Sequence, residues 1–393
     1  MPKPSSRVTG LVPSGKDGWE VHFEAVTRKE AGEPIIILSV GDHDFDTPKE
    51  TVEACVAAVR AGHHHYTQLP GTPALRVALA KISAQSTGVA TTAEQVIATP
   101  GGQAALYAAV QSVLDDGDHG IVVAPYYATY PGTFRAANAT FSVVETRPEN
   151  GFQPDAATIE AAVRPNTRAI LINTPNNPTG AVYTRKALEG IADICRRHDL
   201  WLLSDEVYWT LGGGEHVSPR SLAGMADRTL VINSMSKSHG MTGWRLGWLA
   251  GPERMIQLLT DLNLVSTYGL VDFISHAAVE ALENGYGVKE IAERYGARRT
   301  VFLDAVRGMN NVIVRGSEGG MYVMLDISAI EPDDEKFAWA LLDTEKVGVM
   351  PGSAFGEAAA GHIRISLCQP EPVLQEAAGR LRRFASSYRR QVA

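Results

Sequence analysis

The residues AILINTPNNPTG (169–180) pass from a short apolar run into a turn punctuated by two prolines and a glycine. Three other runs share this form: GIVVAP (120–125), LWLLSD (200–205) and TLVINS (229–234). Each is rich in Val, Ile and Leu without polar alternation, which is how a strand buried on both faces of a parallel sheet reads. Helical patterning fills the gaps, at about 102–114, 130–137 and 185–197. Strand and helix in alternation predict an α/β domain with a mostly parallel, doubly wound sheet.

Further along, the pattern changes. A long charged helix is expected at 289–308, strands at GGMYVML (319–325) and HIRISL (362–367), and helices at 334–344 and 371–389. A chain of 393 residues is too long for one compact core. The expected division is a large domain over 47–290 and a smaller α+β domain made of 291–393 with the N-terminal arm 1–46.

The formal net charge of -8 argues against a nucleic-acid partner, which would need a basic face. Cys55, Cys195 and Cys368 are odd in number and widely spaced, so neither a disulfide framework nor a zinc knuckle is expected, and a cytoplasmic setting fits. The opening MPKPSSRVTGLVPSGKDGW (1–19) has no apolar core of a signal peptide. No run approaches the ~18 apolar residues of a membrane span. The three histidines 63–65 are adjacent, do not share a face, and have no Cys, Asp or Glu at ligand spacing, so no metal site is expected.

In an open α/β sheet, ligands bind beyond the carboxyl ends of the strands. Lys237 lies there, among Ser234, Ser236, Ser238 and Gly240. A partly desolvated lysine at a strand end is an amine nucleophile; the alternative is a surface lysine in a loop. Asp205 ends another run, and a buried carboxylate needs a cation such as a protonated pyridine nitrogen; the alternative is a helix N-cap. ATPGGQAALY (98–107) turns through Gly101 and Gly102 into a helix, offering free N–H groups to a phosphate, or is an ordinary glycine-rich helix start. Arg245 and Arg364 sit among small or apolar neighbours, where a guanidinium faces an anion or an internal acid.

Together, in this order, these segments resemble the class I/II, aspartate-aminotransferase-like enzymes of pyridoxal-5′-phosphate (PLP) fold type I. SVGDHDFDTP (39–48), YTQLPGTPALR (66–76), TPNNPTG (174–180), SDEVY (204–208), SMSKSHGMTGWRLGW (234–248) and HIRIS (362–366) carry the likeness, which spans nearly the whole chain. The resemblance implies that Lys237 carries PLP and shuttles the substrate Cα proton, with Asp205 on the ring nitrogen and Tyr208 on the phenolate oxygen. Asn177 would contact that oxygen and the substrate carboxylate. Gly101, Gly102, Gln103, Ser234, Ser236 and Arg245 would surround the phosphate, and Tyr127 would stack on the ring. Arg364 would clamp the α-carboxylate with the Gly41 N–H. Tyr66 would reach the neighbouring subunit's cofactor, which implies a homodimer.

The implied activity is transfer of an amino group from an L-amino acid to a 2-oxo acid by a ping-pong mechanism. His43 departs from the family, which usually has proline there, and a glycine pair replaces a serine-containing phosphate loop. GWEVHFEAV (18–26), GEHVSP (214–219) and SLAGMADR (221–228) resemble bacterial arginine–pyruvate transaminases in particular. If arginine is the donor, Glu20 and Asp44 are the candidate acids for its guanidinium, against the alternative that both are surface acids. A carbon–sulfur β-lyase of the same fold is a second reading. A non-catalytic PLP-binding regulator is a third, but it would need a DNA-binding module ahead of residue 20, for which no room is expected.

Overall fold

The computed structural model describes residues 2–11, 18–213 and 216–388. Seven strands lie side by side in the order Val96–Thr99, Gly247–Ala250, Thr229–Ser234, Trp201–Asp205, Thr167–Asn173, His119–Ala124 and Thr140–Glu145. Gly247–Ala250 is antiparallel to both neighbours, and the other pairs are parallel. The four apolar runs of the sequence are four adjacent central strands, each shifted from its expected bounds by at most two residues.

The period of two along each strand explains why these runs are apolar throughout. Leu171, Leu203 and Ile232 face one core with Leu106 and Val110 of the helix Gly102–Val113. Ile170, Ile172 and Leu202 face the opposite core with Leu188, Ile191 and Ile194 of the helix Arg185–Arg197. A strand covered on both faces favours apolar side chains along most of its length. Each fully buried Leu or Ile contributes about 1.5–3 kcal/mol. Arg185–Arg197 begins at its expected residue because Thr184 caps it, accepting from the Ala187 N–H at 3.3 Å.

A second, antiparallel sheet has the order Met350–Pro351, His362–Ser366, Tyr322–Asp326, Ile313–Arg315. Beside it the short strand Ile36–Ile37 pairs in parallel with Val347–Gly348. Val21, Ala25 and Leu38 share one core with Phe302, Phe337 and Leu374, so the first part of the chain packs with the last. The long helix is Val288–Val306, and the final helices are Asp334–Glu345 and Glu371–Ser387. The reading of Asp205 as a helix N-cap does not hold: it ends a strand, and the next helical turn, Trp209–Leu211, starts after Tyr208. No helix among the described residues is long and apolar enough to cross a membrane.

Candidate active site

Asn173, Asp205 and Ser234 terminate three strands at the carboxyl edge of the large sheet. In front of them opens a cavity of about 220 Å³. Its walls include Gly41, Gly102, Gln103, Tyr127, Asn177, Asp205, Tyr208, Ser234, Ser236, Lys237, Arg245 and Arg364. Residues read separately along more than 320 positions of sequence therefore meet in one space. Trp19, Val40, Asn173, Thr242 and Tyr322 complete much of the remaining wall.

Lys237 lies in the four-residue helix Met235–Ser238 and is not a surface loop lysine. Its Nζ donates to the Gly41 carbonyl at 2.6 Å. Burial lowers its pKa, and the charges of Arg364 and Arg245 push the same way against Cys368 and Asp42. No carboxylate among the described residues pairs with it. An amine so placed is readily freed of its proton.

Asp205 is 7% exposed and accepts from the Tyr130 hydroxyl at 2.7 Å and from the Val207 N–H at 3.2 Å. No cation of the described chain reaches it. Burial, opposed by those two hydrogen bonds, pushes its pKa up to about 6. A buried carboxylate that faces a cavity without a cation is a receptor for one brought by a ligand. Tyr208 stands nearby, its hydroxyl accepting from Asn177 Nδ2 at 3.4 Å, and burial raises its pKa well above the ordinary phenol value.

Asn177 is itself fixed, because its N–H donates to Asn173 Oδ1 at 2.7 Å while Asn173 Nδ2 donates to the Asp205 carbonyl at 2.9 Å. Asn177 Oδ1 then accepts from Arg364 Nη1 at 2.8 Å. Arg364 Nη2 donates to the Ser39 carbonyl at 2.5 Å, and its guanidinium carbon lies 4.3 Å from the Tyr322 ring centroid and 4.6 Å from that of Phe355. Arg364 is 3% exposed, its Nε has no partner, and no acid among the described residues pairs with it. The internal salt bridge that is the usual fate of a buried arginine is thus missing, and the free edge suits a carboxylate.

A second anion cradle forms where the helix Gly102–Val113 begins. Gly101 caps it at φ 86° without a side-chain hydrogen bond, leaving the first N–H groups uncapped. A Cβ on Gly101 would sit 2.3 Å from Arg245 Nη2, so only glycine admits the guanidinium. Arg245 has the left-handed φ of 54°, rare for a side chain of its kind, and donates to the Thr242 carbonyl at 2.7 Å. Ser234 and Ser236 supply hydroxyls 2.9 Å apart. Tyr127, half-buried, stands edge-on to Tyr130 with ring centroids 6.0 Å apart.

The other candidate residues lie outside this cavity. Tyr66, expected at the neighbouring subunit's cofactor, is 88% exposed and packs edge-on against Tyr268. Asp44 is not free to meet a substrate, since Arg298 binds it with both Nη atoms at 2.7 and 2.8 Å. Glu20 is exposed in the first turn of the helix Trp19–Glu30. Of the segment 214–219, Gly214 and Glu215 lie outside the described residues. His63, whose run has no ligand spacing along the sequence, lies in the fold beside Asp272 and His276.

His43, at the position of the family's proline, is built into the site. Its Nε2 lies 3.0 Å from the Ser236 carbonyl, which can only accept, so Nε2 carries the proton. Nδ1 therefore accepts from the Tyr295 hydroxyl at 2.9 Å, and that oxygen in turn is 3.4 Å from Cys368 Sγ. Burial and then the charge of Lys237 lower the His43 pKa to about 4. Sequence reasoning missed Tyr130, Tyr322 and Trp19. Only Tyr322 had a local signal, the glycine pair that opens GGMYVML.

Residues 33–381 match the family described as aminotransferase class I and II. The arginine–pyruvate transaminase AruH of Pseudomonas aeruginosa is 44% identical over 96% of this chain and 96% of its own length. The aspartate/prephenate aminotransferase of Thermus thermophilus is 38% identical over 97% of each chain. The solved structure of Thermus thermophilus aspartate aminotransferase with maleate superposes with a TM-score of 0.91 at 36% identity, covering 98% of this chain and 100% of that one. The family's cofactor is pyridoxal 5′-phosphate. The observed groups fit it: a cation-seeking Asp205, a depressed amine at Lys237, and an uncapped helix start with Arg245 for a phosphate. The chain belongs to the class I and II aminotransferases.

Proposed function

We propose that this aminotransferase takes its amino group from L-arginine and delivers it to pyruvate. The observation that carries the reading is the convergence on one cavity of Lys237, Asp205 and an arginine, Arg364, whose free edge meets no acid. The 44% identity to an arginine–pyruvate transaminase supports the donor. The wall supports it too, because the aromatic Trp19 lines the cavity and guanidinium groups bind well beside such rings.

Bound PLP supplies an electron sink at its ring. The chain's own residues do the rest. Arg364, held by Asn177 and Ser39, orients the substrate carboxylate, with the Gly41 N–H beside it. Lys237 Nζ would take up the substrate Cα proton and hold it within the cavity. Asp205 would hold the proton of the ring nitrogen, Tyr208 and Asn177 would hydrogen-bond the phenolate oxygen, and Tyr127 would lie against the ring. Gly101, Gly102, Gln103, Ser234, Ser236 and Arg245 would hold the phosphate. The large portion, 47–290, would carry most of these groups, while Arg364 and Gly41 come from the remainder.

The active assembly is a homodimer in the cytoplasm. Tyr66 and Tyr268, in ring contact and 88% and 55% exposed, form an apolar patch that a second copy would cover, delivering Tyr66 to the partner's phosphate. The deciding experiment is a donor screen with pyruvate as acceptor. Arginine should exceed aspartate at least about tenfold in kcat/KM. A preference for aspartate with 2-oxoglutarate would overturn the donor assignment. Release of pyruvate and ammonia from cystathionine without any oxo acid would instead favour the β-lyase.

A further inference from the structure

We infer that His63, Asp272 and His276 form a binding site for one divalent transition-metal ion of the zinc class, separate from the catalytic cavity. None of the three lines that cavity. His63 follows the helix Lys49–Arg60; Asp272 opens the helix Asp272–Asn284, and His276 lies one turn on, on the same face. The two segments are pinned together next door. The Leu270 N–H donates to Thr67 Oγ1 at 3.1 Å, and that hydroxyl donates to the Leu270 carbonyl at 3.2 Å.

The distances favour an ion over a direct contact. His63 Nδ1 is 3.5 Å from Asp272 Oδ2, and His276 Nε2 is 3.7 Å from Asp272 Oδ1. Both are long for hydrogen bonds. Zinc bonds of about 2.0–2.2 Å in a tetrahedron place neighbouring ligand atoms about 3.4 Å apart. All three ligating atoms lie within 4.8 Å of one another, so one short movement of a ring closes the set. The imidazole centroids are 3.7 Å apart, so the rings would swing apart by about 1.5 Å to share one tetrahedral ion.

The surroundings suit a cation. Glu53 and Glu280 line the adjoining cavity with His63 and His276, and no lysine or arginine does. The carboxylate is 16% exposed and the imidazoles 40% and 44%, which leaves a fourth position open to water. Two nitrogens and one oxygen select Zn²⁺, Ni²⁺ or Cu²⁺ over Mg²⁺ or Ca²⁺. Since His63 precedes Tyr66 by three residues, the ion would anchor the segment that carries Tyr66.

The test is titration of the EDTA-treated holoenzyme with Zn²⁺ by calorimetry, and with Co²⁺ by visible absorption. One ion per chain is expected, with the intense visible band of four-coordinate cobalt. His63→Ala and His276→Ala should each weaken binding at least about tenfold. His64→Ala and His65→Ala should leave it unchanged. Zinc should raise the melting temperature of the parent protein and not that of His63→Gln. If His276→Ala does not fold, the two His63 variants decide. No stoichiometric uptake at micromolar Zn²⁺, or equal uptake by the parent and the His63 variants, overturns the site.

Discussion

The Tyr130 hydroxyl donates to Asp205 Oδ2 across 2.7 Å, and this neutral contact is the strongest partner the carboxylate has. Its pKa is raised from 3.8 to about 6 chiefly by burial, so the folded state holds this proton more tightly than the unfolded chain. That contribution to stability is complete below about pH 3.8 and is lost as pH rises through about 6. In cofactor-free protein, Asp205→Asn should therefore gain about 1–3 kcal/mol at pH 8 and nothing at pH 3.5, by denaturant titration. The same substitution should weaken PLP binding and cut turnover at least about 100-fold. An unchanged cofactor affinity would remove Asp205 from its assigned place.

Borohydride treatment of the PLP-loaded protein should fix a cofactor-derived mass on the peptide containing Lys237, read by mass spectrometry. Lys237→Ala should bind PLP without that fixation and lose turnover entirely. A labelled peptide from another part of the chain would contradict the assignment.

Replacing Arg364 with lysine keeps the charge and removes the fork. The edge that would meet a carboxylate is lost, as are the bonds to Asn177 and Ser39. The expected loss in kcat/KM is about 100-fold or more, most of it in KM, with the absorbance of bound PLP unchanged.

Gly41 is a glycine for steric reasons, because a Cβ there would sit 1.9 Å from the Tyr322 hydroxyl oxygen and 2.8 Å from its ring. Gly41→Ala should displace the carbonyl that accepts from Lys237 and depress activity. Adding Tyr322→Phe removes the worse of the two clashes, so the double variant should recover part of the loss. If it recovers none, the close approach is not the cause.

His43 is held neutral, with its pKa lowered to about 4 by burial and by Lys237. A depressed folded value means that this stabilisation is intact above about pH 6.5 and fades as pH falls towards 4. His43→Gln should flatten the acid limb of the stability profile over that window. His239, also buried with a pKa lowered to about 4, should retain its own share in the variant.

What could be read in the sequence was decided by locality. The runs at 169–173 and 229–234 announce themselves because burial on both faces gives them the unbroken apolar stretches 169–172 and 230–232. Thr140–Glu145 escaped notice as an edge strand, half-exposed and carrying Thr140, Ser142 and Glu145. Gly247–Ala250 follows the Lys237 segment so closely that its glycine reads as more loop. In the site, Lys237, Asn177 and Arg364 were visible through their motifs. Tyr130 was not, because its direction is set by a sheet that brings it to Asp205 from 75 positions away. Asp44 was misjudged for the same reason: its partner Arg298 lies 254 positions on.

Arg364 enters any encounter already immobilised, with Nη1 on Asn177, Nη2 on Ser39 and two aromatic rings beside its plane. The rotamer freedom of a long side chain, about 2 kcal/mol, has been given up during folding and not at the moment of capture. Calorimetry with simple carboxylate inhibitors should accordingly show a favourable enthalpy with little entropic opposition from the receptor.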